Sequence, residues 1–331
     1  MVERVEGIAP MSHLYDSRGL SDKPFIHDLQ EGVLAPLLDR VQKDRSLDME
    51  IRHEYVNIYY RGGNLLRVSR DNRHSGYLAH FNVNYGPTLK ATLPGERIVR
   101  DPDTRAWLDK FPAMKNAMDL FLGRISKDER ASQQMVVYEN NVGSSAGGSD
   151  YFIVDIEYDN HQGARFDLVA LRWDSDSTAR KLQKNYLPRL TAIEMKTGDS
   201  AMSGKSGLLD HYDDWVAFFS QPGLLGEFKR EMLLVFEQKR ALGLIPALAK
   251  NHNSVRDVAA DVDVVFLLAN HDPASCRLKT AVDALQERIA KDRPGFNIHF
   301  ATATFMGFGL YSQNILSLDA FRLHLERLAG K

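Results

Sequence analysis

Three β-rich runs crowd into residues 151–196 and constrain the fold more than any other part of the chain. They are YFIVDIEY (151–158), RFDLVALRW (165–173) and LTAIEMK (190–196). The first two are separated by the turn-rich DNHQGA, so they are expected to pair as an antiparallel hairpin, with the third run following closely. Each run is apolar but interrupted by charge. Successive side chains on a strand point to opposite faces, so Glu194 and Lys196, two residues apart, project together. Asp167 lies near the start of the preceding strand. If the two strands are neighbours, two carboxylates and an ammonium meet at one end of a sheet. Burying such groups is costly unless they pair with one another or bind a cation.

The remainder of the chain supplies layers around these strands. After an irregular opening to about residue 26, apolar residues at helical spacing predict a helix over 28–43. EYVNIYYRGGNLLRV (54–68) reads as a hairpin turning at Gly62-Gly63, and the alternation over 77–85 as a further strand. Residues 1–100 therefore form an α+β N-terminal domain. A helical region over 103–139 follows, then the three strands. A Gly/Ser loop leads into a helix whose Leu208, Leu209, Tyr212, Trp215, Val216 and Phe219 form an apolar stripe. Helices over 224–241 and 274–291 bracket a buried strand at 262–270, a late strand spans 296–305, and a helix over 318–328 closes the chain. Residues 101–331 thus read as one α/β domain. No internal repeat or low-complexity segment interrupts it.

The 331 residues are 44% hydrophobic, enough to bury a full core. A formal charge of −2 argues against coating nucleic acid by bulk electrostatics and leaves room for a local basic groove. Basic residues gather at Arg61, Arg67, Arg70 and Arg73 and at Lys181, Lys184 and Arg189. Cys276 is the only cysteine, which excludes an intramolecular disulfide and a Cys-rich zinc site. Apolar runs such as 264–269 fall far short of the roughly 20 residues a bilayer span needs, and the N-terminus lacks a signal-peptide layout. These features predict a cytoplasmic protein without a membrane partner.

Several familiar patterns fail. SGKSG (203–207) resembles the end of a P-loop, but Asp199 stands where the first glycine is required, so the stretch reads as the rim of a site. There is no HExxH, and Ser144 and Ser145 lack nucleophile-elbow spacing.

GARFDLVAL followed by TAIEMK resembles motifs II and III of the PD-(D/E)xK superfamily of restriction-endonuclease-like proteins. That core runs helix, three strands, helix, fourth strand, the order read here from about residue 126 to 270, less than half of the chain. The resemblance implies a mixed sheet flanked by helices, with Asp167 and Glu194 as metal ligands and Lys196 as the catalytic lysine. It also implies Mg²⁺ or Mn²⁺ as cofactor and phosphodiester hydrolysis in nucleic acid, DNA ahead of RNA. The motif's proline is missing, since Arg165-Phe166 precede the aspartate. Many members add a glutamate from the helix before the first strand. Glu129 and Glu139 are the choices, Glu129 being favoured with Gln133 one turn later. Asp155 and Glu157 form another same-face pair, which either extends the acidic cluster or pairs with Arg165 or Arg172 across the hairpin. His211 and Asp214 share a helix face beyond the third strand. His211 and Lys205 are candidates to contact substrate. On the N-terminal hairpin, Tyr59, Tyr60, Arg61 and Arg67 combine stacking and phosphate-binding chemistry. Cutting two strands with one site per chain suits a homodimer. The rival expectation is a non-catalytic nucleic-acid-binding or scaffolding protein that keeps the nuclease fold.

Overall fold

The computed structural model describes residues 17–124, 128–144, 146–159, 165–181, 186–198, 202, 207–251, 253–272, 275–303, 307, 309–310 and 312–329. The chain is mixed α/β, with two sheets and helices between and around them.

Helices α1 (Lys23–Gln30) and α2 (Ala35–Lys43) replace the single helix expected over 28–43. Pro36 causes the break. It has no N–H to donate and its ring would collide with a carbonyl one turn back, so it is tolerated only in a first turn, where it stands in α2. Strands β1 (Leu47–Ile51), β2 (Tyr55–Tyr60), β3 (Gly63–Arg70), β4 (Tyr77–His80) and β5 (Arg97–Ile98) form an antiparallel sheet in sequential order. The β2–β3 turn has Arg61 at φ 48° and Gly62 at φ 72°, the left-handed pair that suits the twist of a tight hairpin. The strand expected over 77–85 stops at His80. Asn82 then accepts a hydrogen bond from the Asn84 N–H through its side chain, which turns the chain away from the sheet.

Helices α3 (Asp101–Leu108), α4 (Phe111–Leu122) and α5 (Asp128–Val137) lead to the second sheet. Its strands are β6 (Tyr151–Asp159), β7 (Arg165–Arg172), β8 (Arg189–Thr197), β9 (Asp263–Ala269), β10 (Asn297–Ala303) and β11 (Leu316–Ser317), in the order β11-β10-β9-β8-β7-β6. β7 runs antiparallel to both of its neighbours, β6 and β8, and β8, β9 and β10 run parallel. Between β7 and β8 lies the short α6 (Ser177–Arg180). α7 (Leu208–Phe219) and α8 (Pro222–Ala241) cross from β8 to β9, α9 (Cys276–Asp292) from β9 to β10, and α10 (Leu318–Ala329) closes the chain. A parallel strand needs cover on both faces, and β9 is buried at every residue.

The two faces of this sheet carry separate cores. Ala192, Val169, Phe266 and Phe300 share a core with Tyr212, Trp215 and Phe218 of α7, while Ile193, Met195, Leu168 and Val265 pack with Val136 and Val137 of α5. α7 buries Phe218, whereas Leu209, expected in the stripe, is 38% exposed. Among the described residues no helix is long and apolar enough to cross a membrane.

Candidate active site

The pairing of β7 with β8 ends at Leu168↔Ile193. Continuing that antiparallel register by one residue sets Asp167 opposite Glu194, as the spacing predicts. Glu194 and Lys196 alternate away from Met195, and both are buried, at 4% and 5% exposure. The Lys196 Nζ donates to Glu194 Oε1 at 2.6 Å. His211, in the first turns of α7, brings Nε2 to 2.8 Å from the same oxygen and 2.9 Å from Nζ. One ring nitrogen therefore faces both partners. Protonated, it donates to Glu194; unprotonated, it accepts from Lys196, so the triangle has two proton arrangements.

Asp167 uses both carboxylate oxygens. Oδ2 accepts the Met195 N–H at 2.7 Å, and Oδ1 accepts the Gln133 Nε2 at 3.0 Å. Burial, then the negative charges of Glu194 and Glu129, push its carboxyl well above the ordinary aspartate range, against the opposite pull of Met195 N–H and Lys196. Burial raises Glu194 too, but the hydrogen bond from His211 and the Lys196 ammonium together outweigh it and hold this carboxyl below its usual value. Glu129 on α5 is exposed, yet crowding by the protein raises its carboxyl; Lys196, His211 and Arg130 oppose that shift and Glu194 adds to it. Site electrostatics thus tie Glu129 to Asp167 and Glu194.

Three carboxylates face the Lys196 ammonium here, an excess of negative charge with oxygen donors that suits a hard divalent ion. The donors are not gathered as a finished cage. Among the described residues no three His, Cys, Asp or Glu side chains stand ready around one point, and Glu194 Oε1 is engaged by Lys196 and His211. An incoming cation would have to compete with that triangle for the carboxylate.

The other candidates lie elsewhere. Asp155 does not extend the acidic cluster, because a register shift in β6 between Ile153 and Asp155 accompanies its turn toward Arg18 and Arg52. Glu157 pairs with Arg130 at 2.6 Å, not with Arg165 or Arg172. Glu139 sits in a π-helical turn after α5, beside Gly143. Asp214 is exposed on α7 beyond His211. Lys205 lies outside the described residues. On the N-terminal hairpin Tyr59 is buried at 6% exposure, which removes it as a stacking platform. Tyr60 donates to Asp119, Arg61 pairs with Asp119 at 2.8 Å, and Arg67 lies 3.7 Å over the Tyr55 ring. Sequence reasoning missed Gln134, whose neighbours lie 72 to 88 residues away; no local signal marks it. It treated His211 as a substrate contact, and the helix face offered no hint that the ring reaches the lysine.

No family model, curated protein or solved structure matches this chain.

Proposed function

We propose that the protein is a divalent-metal-dependent nuclease of the PD-(D/E)xK type, hydrolysing phosphodiester bonds of nucleic acid, DNA ahead of RNA. The observation that carries this reading is the meeting of Asp167, Glu194 and Lys196 at the edge of two adjacent strands, with Glu129 and Gln133 arriving from α5. The element order α5, β6, β7, β8, α7, β9 and the antiparallel-to-parallel change at β8 support a restriction-endonuclease-like core.

Asp167 and Glu194 would hold the cation, Mg²⁺ or Mn²⁺. Bound there, it would polarise the phosphodiester and compensate developing charge. The desolvated Asp167, crowded by two other carboxylates, is stabilised by any cation placed beside it. Lys196 is fixed by Glu194 and His211, so its ammonium stands ready to orient an attacking water and to offset negative charge as the phosphorus centre becomes five-coordinate. With its Nε2 unprotonated, His211 accepts a hydrogen bond from the Lys196 ammonium and so helps hold it in place beside Glu194.

The test is an assay of purified protein on plasmid, linear duplex, single-stranded DNA and RNA with Mg²⁺, Mn²⁺ or EDTA. Cleavage requiring the metal supports the reading. Cleavage that persists in EDTA places the chemistry elsewhere, and metal-independent nucleic-acid binding without turnover favours the non-catalytic binding protein.

A further inference from the structure

Two adjacent buried glutamines on α5 face in different directions. Gln133, 2% exposed, donates to Asp167 of the acidic site. Gln134, 8% exposed, turns to the N-terminal sheet and satisfies its whole amide there. Its Nε2 donates to the Ser46 carbonyl at 3.0 Å and the Tyr59 carbonyl at 3.3 Å, and its Oε1 accepts the Gly62 N–H at 2.8 Å. The hairpin turn is pressed onto the same helix. A Cβ at Gly62 would lie 2.4 Å from the Arg130 carbonyl carbon, and Gly62 already holds a left-handed φ of 72°. Tyr59, from the same hairpin, belongs to the core formed by Val136, Leu168, Ile193 and Met195 beneath the acidic site.

We infer that Gln134 is a positioning residue of the acidic site, clamping α5 to the N-terminal hairpin so that Gln133 and Glu129 keep their places beside Asp167 and Glu194. Three backbone groups fix one side chain, and a helix fixed at Gln134 carries Gln133 with it. The N-terminal sheet thereby becomes part of the site's construction. The inference rests on the metal-site reading above.

The experiment is Mn²⁺ titration by calorimetry of wild type, Gln133→Leu, Gln134→Leu and the double variant, at a temperature where circular dichroism shows each fully folded. Loss of an outer partner of a metal ligand weakens binding by about 10-fold to 100-fold. Gln134→Leu should approach the loss of Gln133→Leu, and the double variant should lose little more than either, because both act on the same carboxylate. A merely structural residue would lower the unfolding midpoint and leave the Mn²⁺ affinity of the folded protein unchanged, which would overturn the inference. Should Gln134→Leu fail to fold, Gly62→Ala pushes on α5 from the hairpin side and must weaken Mn²⁺ binding in the same direction; unchanged affinity there overturns the inference equally. Wild type that binds no Mn²⁺ removes the metal-site reading itself, whereas wild type that binds normally beside an unaffected Gln134→Leu removes only the clamp.

Discussion

Asp155 on β6 and Asp167 on β7 each begin a cluster of charge, and the two clusters are built oppositely. Around Asp155 the carboxylates are matched by cations. Asp155 contacts both Arg18 and Arg52, and Arg52 also donates to the Ile156 carbonyl at 3.0 Å and the Tyr59 hydroxyl at 3.1 Å. Glu50 meets Lys239 at 2.5 Å. These groups are sealed, with Glu50 and Asp155 at 0%, Lys239 at 1% and Arg52 at 4% exposure, and they join the N-terminal sheet to β6 and α8. Around Asp167 the carboxylates outnumber the cations, Glu129 opens to solvent, and one imidazole nitrogen serves two partners. A sealed, matched cluster has nothing left to bind; an open cluster with surplus negative charge has an attraction for a cation that the protein itself does not satisfy.

That contrast breaks most sharply under mutation. Asp167→Ala should abolish metal-dependent cleavage while leaving urea-unfolding stability within about 1 kcal/mol, because removing one of several repelling carboxylates costs the metal-free fold little. Glu194→Ala should abolish cleavage too, but it strips the buried Lys196 of its carboxylate and lowers stability. Asp155→Ala should do the reverse of Asp167→Ala. It leaves Arg52 buried without its carboxylate and costs about 3–5 kcal/mol of stability, read by the same unfolding curves. A large stability loss at Asp167 with none at Asp155 would invert the comparison.

Lys196→Ala separates the roles within the acidic site. Cleavage rate should fall by roughly 10²- to 10⁴-fold, typical of an acid–base or electrostatic residue, while metal binding survives, since the substitution removes a charge that repels the ion. Full activity in this variant would exclude the lysine from the chemistry.

pH offers a finer test. Asp167 keeps its proton to higher pH in the folded protein than in the unfolded chain, so between its two pKa values the folded state binds more protons and stability falls as pH rises. Glu194 runs the other way: its folded pKa is depressed, so its contribution is present above the unfolded value and is lost as pH falls through the folded one. Asp167→Asn removes the first effect and keeps the second. In EDTA, its unfolding free energy should lack the decline above about pH 4 that wild type shows. Identical pH profiles would show that Asp167 is not the group responsible.

The smallest expected effect concerns the N-terminal hairpin. Arg61 and Arg67 are exposed, and their joint replacement by Ala should slightly weaken nucleic-acid binding and flatten its salt dependence by about one unit of slope per lost phosphate contact. Unchanged binding across salt would leave the hairpin as support alone.

The same contrast explains what the sequence disclosed. β6, β7, β8, β9 and α7 were legible because continuous apolar runs and a helical stripe reflect burial locally, and Asp167, Glu194 and Lys196 were legible because their register follows from strand alternation. Local pattern cannot say where a charged strand residue turns. Asp155 and Glu194 look alike in VDIEY and IEMK, yet one is captured by Arg52, 103 residues away, and the other by His211 and Lys196. The Glu50–Lys239 pair spans 189 residues and leaves no trace at either end. The break between α1 and α2 was signalled by Pro36, but the apolar periodicity of the surrounding residues concealed it.

The most direct test of the contrast is calorimetric titration of Mn²⁺ into the metal-free protein, comparing wild type with Asp167→Ala and Glu194→Ala. The account predicts saturable binding in wild type that is largely lost in both variants, with the unfolding midpoint of Asp167→Ala nearly unchanged. Undiminished Mn²⁺ binding in both variants, or none in wild type, would contradict it.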